Sequence, residues 1–221
     1  VSAIRVFLVD DQQLVRAGFR MLIESQDDMV VVGEAGDGVA ATEQLAVTSA
    51  DIALMDVRMP RMDGVEATRV LAARADRPRV VVLTTFDLDE YVYNALHAGA
   101  SAFLLKDAQP EVLLSAIRDV HAGDAVVAPS ATRRMLERFL GSAAPPDPDD
   151  DPRLAALTER EREVLGLIAH GRSNGEIATD LFLAEATVKT HVGRVLAKTG
   201  SRDRVQLVVL GYDTGLVSPG P

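Results

Sequence analysis

Asp10 and Asp11 stand side by side after an apolar run at 4–9, Asp56 ends a second at 52–55, and Lys106 follows a third at 102–105. An open α/β sheet builds its site at the ends of its strands. Three carboxylates gathered there cannot all stay ionised in dry surroundings without a partner. A hard divalent cation solves this, and Mg²⁺ suits a site with few protein carboxylates because it keeps several of its waters. One carboxylate can then attack a phosphorus while metal and ammonium neutralise the transferred oxygens. Thr84, at the end of the run 79–84, offers a hydroxyl to a phosphoryl oxygen. Taken alone, Asp10 and Asp11 could be helix caps, and Asp63 before Gly64-Val65-Glu66 reads as one. Asp56 has no such reading, since a carboxylate ending a buried strand needs a cation or a purpose.

The elements that must position these groups follow from the hydropathy pattern. Short β-branched runs at 4–9, 30–34, 52–55, 79–84 and 101–105 alternate with amphipathic stretches near 13–25, 37–47, 63–75, 88–98 and 110–122. Five such repeats predict a parallel sheet with helices on both faces. The runs are nearly continuous in apolar residues, as strands buried on both sides should be. This places a first domain at 1–123. Residues 124–152 form a linker, with a short helix near 130–140 (Met135, Leu136, Phe139 and Leu140) and an acidic, Pro-rich stretch at 141–152. Four prolines and four aspartates without a large apolar residue cannot pack into a core.

From 153 to 217 the pattern is all-helical. Thr158-Glu159-Arg160-Glu161 is a capping box that opens a helix closed by Gly171. A short helix near 174–182, a longer one near 185–199 and a fourth near 202–211 follow. In the third, Val188, Val192, Val195 and Leu196 recur at helical spacing, while Lys189, Thr190, Gly193 and Arg194 face away from them. A recognition helix needs these two faces. Thr187 near its start and Lys198 near its end suit phosphates, Lys189 suits a base edge, and His191 suits phosphate contact and packing equally.

Composition excludes other classes. The 221 residues are 48% hydrophobic, enough for one large domain or two modest ones. There is no cysteine, hence no disulfide framework or thiolate nucleophile. No apolar run approaches the roughly 18 residues of a membrane span, and no signal-peptide order opens the chain. A soluble cytoplasmic protein is expected. The net charge of −10 argues against a simple nucleic-acid binder, but residues 153–221 carry 9 basic against 8 acidic side chains, so any DNA-binding surface must come from clustering. Only three of the 23 basic residues are lysine, namely Lys106, Lys189 and Lys198.

Asp10-Asp11, Asp56 with Met59-Pro60 and Asp63-Gly64, Thr84, and the segment Gly99 to Lys106 resemble, in order and spacing, the receiver domain of two-component response regulators. Leu157 to Leu165, Gly171 to Ala178 and Ala186 to Val192 resemble the LuxR-type helix-turn-helix. Together they are similar to the NarL/FixJ class. The resemblance implies a flavodoxin-like five-stranded sheet of order 2-1-3-4-5 joined to a small four-helix domain. It implies Asp56 as phosphoacceptor, Asp11, Asp56 and the Arg58 backbone carbonyl as direct Mg²⁺ ligands, and Asp10 acting mainly through water. Lys106 would pair with the phosphoryl group. Thr84 would move toward it, with Phe103 swinging inward behind. DNA contacts would come from Thr187, Val188, Lys189, Thr190, His191, Arg194 and Lys198.

Some residues depart from the family pattern. Phe103 lacks the hydroxyl of the tyrosine common at the switch position. Asp107 replaces a proline after the lysine, and a non-proline cis bond costs roughly 3 kcal/mol, so a trans bond is expected. Ala184 stands where a serine usually caps the recognition helix. Thr199 and Ser201 stand where leucines are common. The expected partners are a sensor histidine kinase, double-stranded DNA and a second copy of the chain at least when phosphorylated. An enzyme is not expected. A phosphohydrolase of the haloacid dehalogenase type would carry Asp-x-Asp after the first strand, whereas this chain has Asp10-Asp11-Gln12. A receiver that never takes phosphate would not need the intact acid set and Lys106.

Overall fold

The computed structural model describes residues 3–74, 78–84, 89–123, 148 and 151–217. The chain divides into two units, Val1–Val126 and Val127–Pro221. In the first, strands β1 (Ile4–Val9), β2 (Met29–Ala35), β3 (Ile52–Asp56), β4 (Arg79–Thr84) and β5 (Ala102–Leu105) alternate with helices α1 (Gln13–Glu24), α2 (Gly38–Gln44), α3 (Gly64–Ala72), α4 (Asp89–His97) and α5 (Pro110–Ala122). The strands form one parallel sheet of order β2-β1-β3-β4-β5.

Burial explains the strand composition. Val6, Phe7, Leu8, Ile52, Leu54, Val81 and Val82 are all at most 1% exposed, because helices cover both faces. Leu8, Leu54, Val81 and Ala102 lie level across four strands. That register brings the carboxyl ends of β1, β3, β4 and β5 to one edge of the sheet. The order reverses between β1 and β3, and a doubly wound sheet opens its crevice at such a point.

Local chemistry fixes the helix starts around this edge. The Asp63 side chain accepts from Glu66 N at 2.8 Å and caps α3. Gly64 N donates to Val57 O at 2.9 Å. A side chain at Gly64 would run into the Asp56 carbonyl, so only glycine lets α3 begin against the end of β3. Pro110 opens α5, and Gly123 closes it at φ 92°. The Lys106–Asp107 bond is trans, as is every other among the described residues.

The second unit contains α6 (Pro152–Ala155), α7 (Glu159–Ala169), α8 (Asn174–Asp180), α9 (Glu185–Thr199) and α10 (Arg204–Asp213). Both bonds of the capping box are present at Thr158 and Glu161, and a second box joins Ser173 to Glu176. The core is Leu154, Val164, Leu165, Ile168, Ile177, Val188, Val195 and Leu207, none of them exposed. Ala184 opens α9 without a side-chain cap. The expected helix near 130–140 lies outside the described residues, as does the stretch 141–152 apart from 148, 151 and 152. No helix among the described residues is long and apolar enough to cross a membrane.

Candidate phosphoryl site and nucleic-acid interface

Asp10 follows β1, Asp56 ends β3 and Lys106 follows β5, so three strand ends meet at one ammonium. Lys106 Nζ lies 2.6 Å from Asp10 Oδ2 and 2.9 Å from Asp56 Oδ2. All three side chains are at most 8% exposed. Asp11 is exposed beside them, and one carboxylate oxygen from each of Asp10, Asp11 and Asp56 lies within 4.8 Å of the others. Thr84 is buried at the end of β4, where its carbonyl accepts from Lys106 N at 2.8 Å. Phe103 is half-buried on β5, level with Val82.

The electrostatics follow from burial. Desolvation raises the Asp56 carboxyl above its ordinary value, and the charge of Asp10 adds to the rise. Lys106 and a hydrogen bond from the Arg58 backbone oppose it without cancelling it. Burial alone would lower Lys106, but its bonds to Asp10 and Asp56 outweigh that and raise it. Three carboxylates against one ammonium leave the edge electron-rich. Its donors are hard oxygens only, the set that Mg²⁺ accepts.

Two supports of this edge were not read from the sequence. Arg16 on α1 donates to the Asp10 carbonyl at 2.5 Å and meets Glu34 of β2 at 3.2 Å, tying down the turn that carries both aspartates. Arg61, in the loop after Asp56, sits at φ 68° and bonds the buried, helix-capping Asp37. The pairs Arg16–Glu34 and Arg61–Asp37 join residues 18 and 24 positions apart, and nothing in the local pattern marks them.

In the second unit α9 presents two faces. Val188 and Val195 are buried, Val192 and Leu196 are half-buried, and Thr187, Lys189, Thr190, Gly193 and Arg194 are exposed. Lys189 pairs with Glu185 one turn earlier at 3.5 Å. A side chain at Gly193 would meet open space. The expected DNA contact of Val188 is corrected: its side chain is fully buried. Its spacing with Val192 and Val195 is that of the apolar face, which packs against the domain and not into a groove. His191 is half-buried, with Nδ1 enclosed and without a hydrogen-bond partner among the described residues. Lys198, expected at phosphate, lies 2.6 Å from Glu161 Oε2 at the start of α7.

Residues 6–118 match the family model described as response regulator receiver domain. The chain belongs to the response regulator receiver family. Residues 155–210 match the model described as bacterial regulatory proteins, luxR family. This response regulator is 42% identical to the uncharacterized transcriptional regulatory protein YxjL of Bacillus subtilis (strain 168), over 97% of each chain. It is 38% identical to the DNA-binding transcriptional activator DevR/DosR of Mycobacterium tuberculosis, over 95% of this chain and 94% of that one. A crystal structure of the response regulator ChrA, from a heme-sensing two-component system, covers 98% of this chain and 100% of its own at 35% identity and a TM-score of 0.52. The protein is a DNA-binding transcriptional response regulator of a two-component system. Both of these curated relatives are named as transcriptional regulators. Receiver domains generally use Mg²⁺ at the acidic pocket, and the cluster of Asp10, Asp11 and Asp56 fits that use in donor type and charge.

Proposed function

We propose that Asp56 accepts a phosphoryl group from a sensor histidine kinase and that the acyl phosphate switches dimerisation and DNA binding. The observation that carries this is the contact of Lys106 with Asp10 and Asp56 at the strand ends. A carboxylate oxygen of Asp56 forms the bond to phosphorus as the donor's phosphorus–nitrogen bond breaks. The freed imidazole nitrogen takes up a proton from solvent. Lys106 then exchanges its contact with the Asp56 carboxylate for one with a phosphoryl oxygen. Asp11, Asp56 and the Arg58 carbonyl would hold Mg²⁺ directly, with Asp10 acting through water. Bound there, the ion neutralises charge on the transferred oxygens.

Thr84 offers its hydroxyl to the new phosphoryl group, and the ring of Phe103, half-buried beforehand, follows inward. Because Phe103 has no hydroxyl, its movement signals through packing alone. Such a step is a local change of charge that biases a two-state surface. The phosphorylated chain pairs with a second copy in the cytoplasm, and two α9 helices meet two half-sites. Lys189 reaches a base edge, Arg194 and Thr187 reach phosphates, and Thr190 and Gly193 allow close approach. His191 meets the backbone at the edge of the helix.

The test is phosphotransfer from a small phosphodonor with Mg²⁺. Wild type should take up label and Asp56→Asn should not. Equal labelling of Asp56→Asn would refute the assignment.

A further inference from the structure

The first turn of α7 touches the recognition helix region at two separated points. Glu161 is 3% exposed, and its Oε2 accepts from Thr158 N at 2.9 Å and from Lys198 Nζ at 2.6 Å. One carboxylate oxygen therefore closes the cap of α7 and holds the last turn of α9. Lys198, and next the Thr158 backbone, pull the Glu161 carboxyl down to about 2, so it stays ionised at any working pH. Its neighbour Arg160 donates through Nη2 to Leu181 O at 2.8 Å and pairs through Nη1 with Glu163 at 2.6 Å.

Leu181 caps the end of α8, immediately before the turn into α9. There Phe182 takes φ 54°, with Leu183 N bonded to Ala178 O and Phe182 N to Thr179 O. This is a Schellman turn whose left-handed position, usually glycine, holds a bulky side chain. Phe182 is 95% exposed, so packing of its ring does not hold the turn. The backbone bonds and the Arg160 guanidinium do.

We propose that Arg160 and Glu161 are positioning residues that fix the pose of α9, Arg160 from the turn at its start and Glu161 from its last turn. In this arrangement Lys198 serves as the partner of Glu161 and not as a phosphate contact. Neither Arg160 nor Glu161 touches DNA. The inference rests on α9 being the helix that reads DNA.

The test uses full-length protein treated with a small phosphodonor and Mg²⁺, and duplexes enriched by wild type so treated from a randomised pool, with scrambled duplexes of equal composition for comparison. Affinity is measured across a salt series. Each phosphate contact contributes about 0.9 to the slope of log affinity against log salt. Glutamine at position 161 keeps an acceptor for the Thr158 backbone, so Glu161→Gln removes the charge pair and spares the cap. Glu161→Gln and Lys198→Gln should each lower affinity for enriched duplex by about tenfold, the scale of one lost recognition contact. Their slope and their affinity for scrambled duplex should match wild type. Arg160→Gln should do the same, while Arg194→Gln should lower the slope.

If Lys198 contacts phosphate, Glu161→Gln frees it, and affinity and slope both rise. Lys198→Gln then loses about 0.9 of slope. Either result overturns the proposal. Wild type that binds enriched and scrambled duplexes alike would instead overturn the reading of α9 as the recognition helix, and the brace with it.

Discussion

Asp56 is a residue whose proposed function works against the fold that holds it. Burial raises its carboxyl, so the ionised form is worse off in the folded chain than in the unfolded one. Below the ordinary value of 3.8 both states are protonated and the penalty is absent. As pH rises through the raised folded value, stability is lost and stays lost. In the presence of a chelator, Asp56→Asn should therefore unfold at a higher temperature than wild type at pH 7. The difference should shrink as pH falls toward 4. Thermal unfolding followed by circular dichroism checks this, and an Asp56→Asn chain less stable than wild type at pH 7 would refute it. The penalty marks a site kept for chemistry. Asp56, Asp10 and Lys106 were legible in sequence because each follows an apolar run, and parallel strands bring their ends to one edge. Lys198 was legible only as a basic residue on a helix, since its partner Glu161 lies 37 residues earlier and on another helix. Val188 was misread because the motif that carries it spans both faces of α9.

At the scale of elements, hydropathy period and caps placed β1 to β5, α1, α4 and α5 to within a residue at each end, while α2 and α3 start one residue later than expected and stop three residues sooner. The same signals placed α7 and α9. They did not give α6, a single turn opened by Pro152 and capped by Asp151, since four residues carry no period. Nor did they give the left-handed turn at Phe182, whose residue type argues against it. The uncapped start of α9 was legible, because Ala184 has no side-chain oxygen. An oxygen there would satisfy a free N–H of the first turn, so Ala184→Ser should stabilise the second unit by about 0.5–2 kcal/mol. Chemical denaturation of the full chain, read from its C-terminal transition, measures this. No gain would mean that the first turn of α9 already has its donors satisfied.

At the scale of the whole molecule, the charge distribution shapes how the two units divide their work. The receiver carries much of the net −10 and holds its acids around one lysine. In the second unit several cations already have acidic partners, as with Lys189 and Glu185, Arg172 and Glu176, and Lys198 and Glu161. A surface so neutralised gains little from counterion release, so one copy should bind DNA weakly. Pairing two copies, as proposed, would supply the missing affinity through effective concentration, and would make the receiver's switch the controlling step. The most direct measurement of that claim is the affinity of the full-length chain for enriched duplex, before and after treatment with a small phosphodonor and Mg²⁺, in wild type and in Asp56→Asn. The donor should tighten binding by wild type tenfold or more, on the order expected for adding a second half-site, and leave Asp56→Asn unchanged. Affinity that ignores the donor in wild type, or that responds equally in Asp56→Asn, would contradict the account.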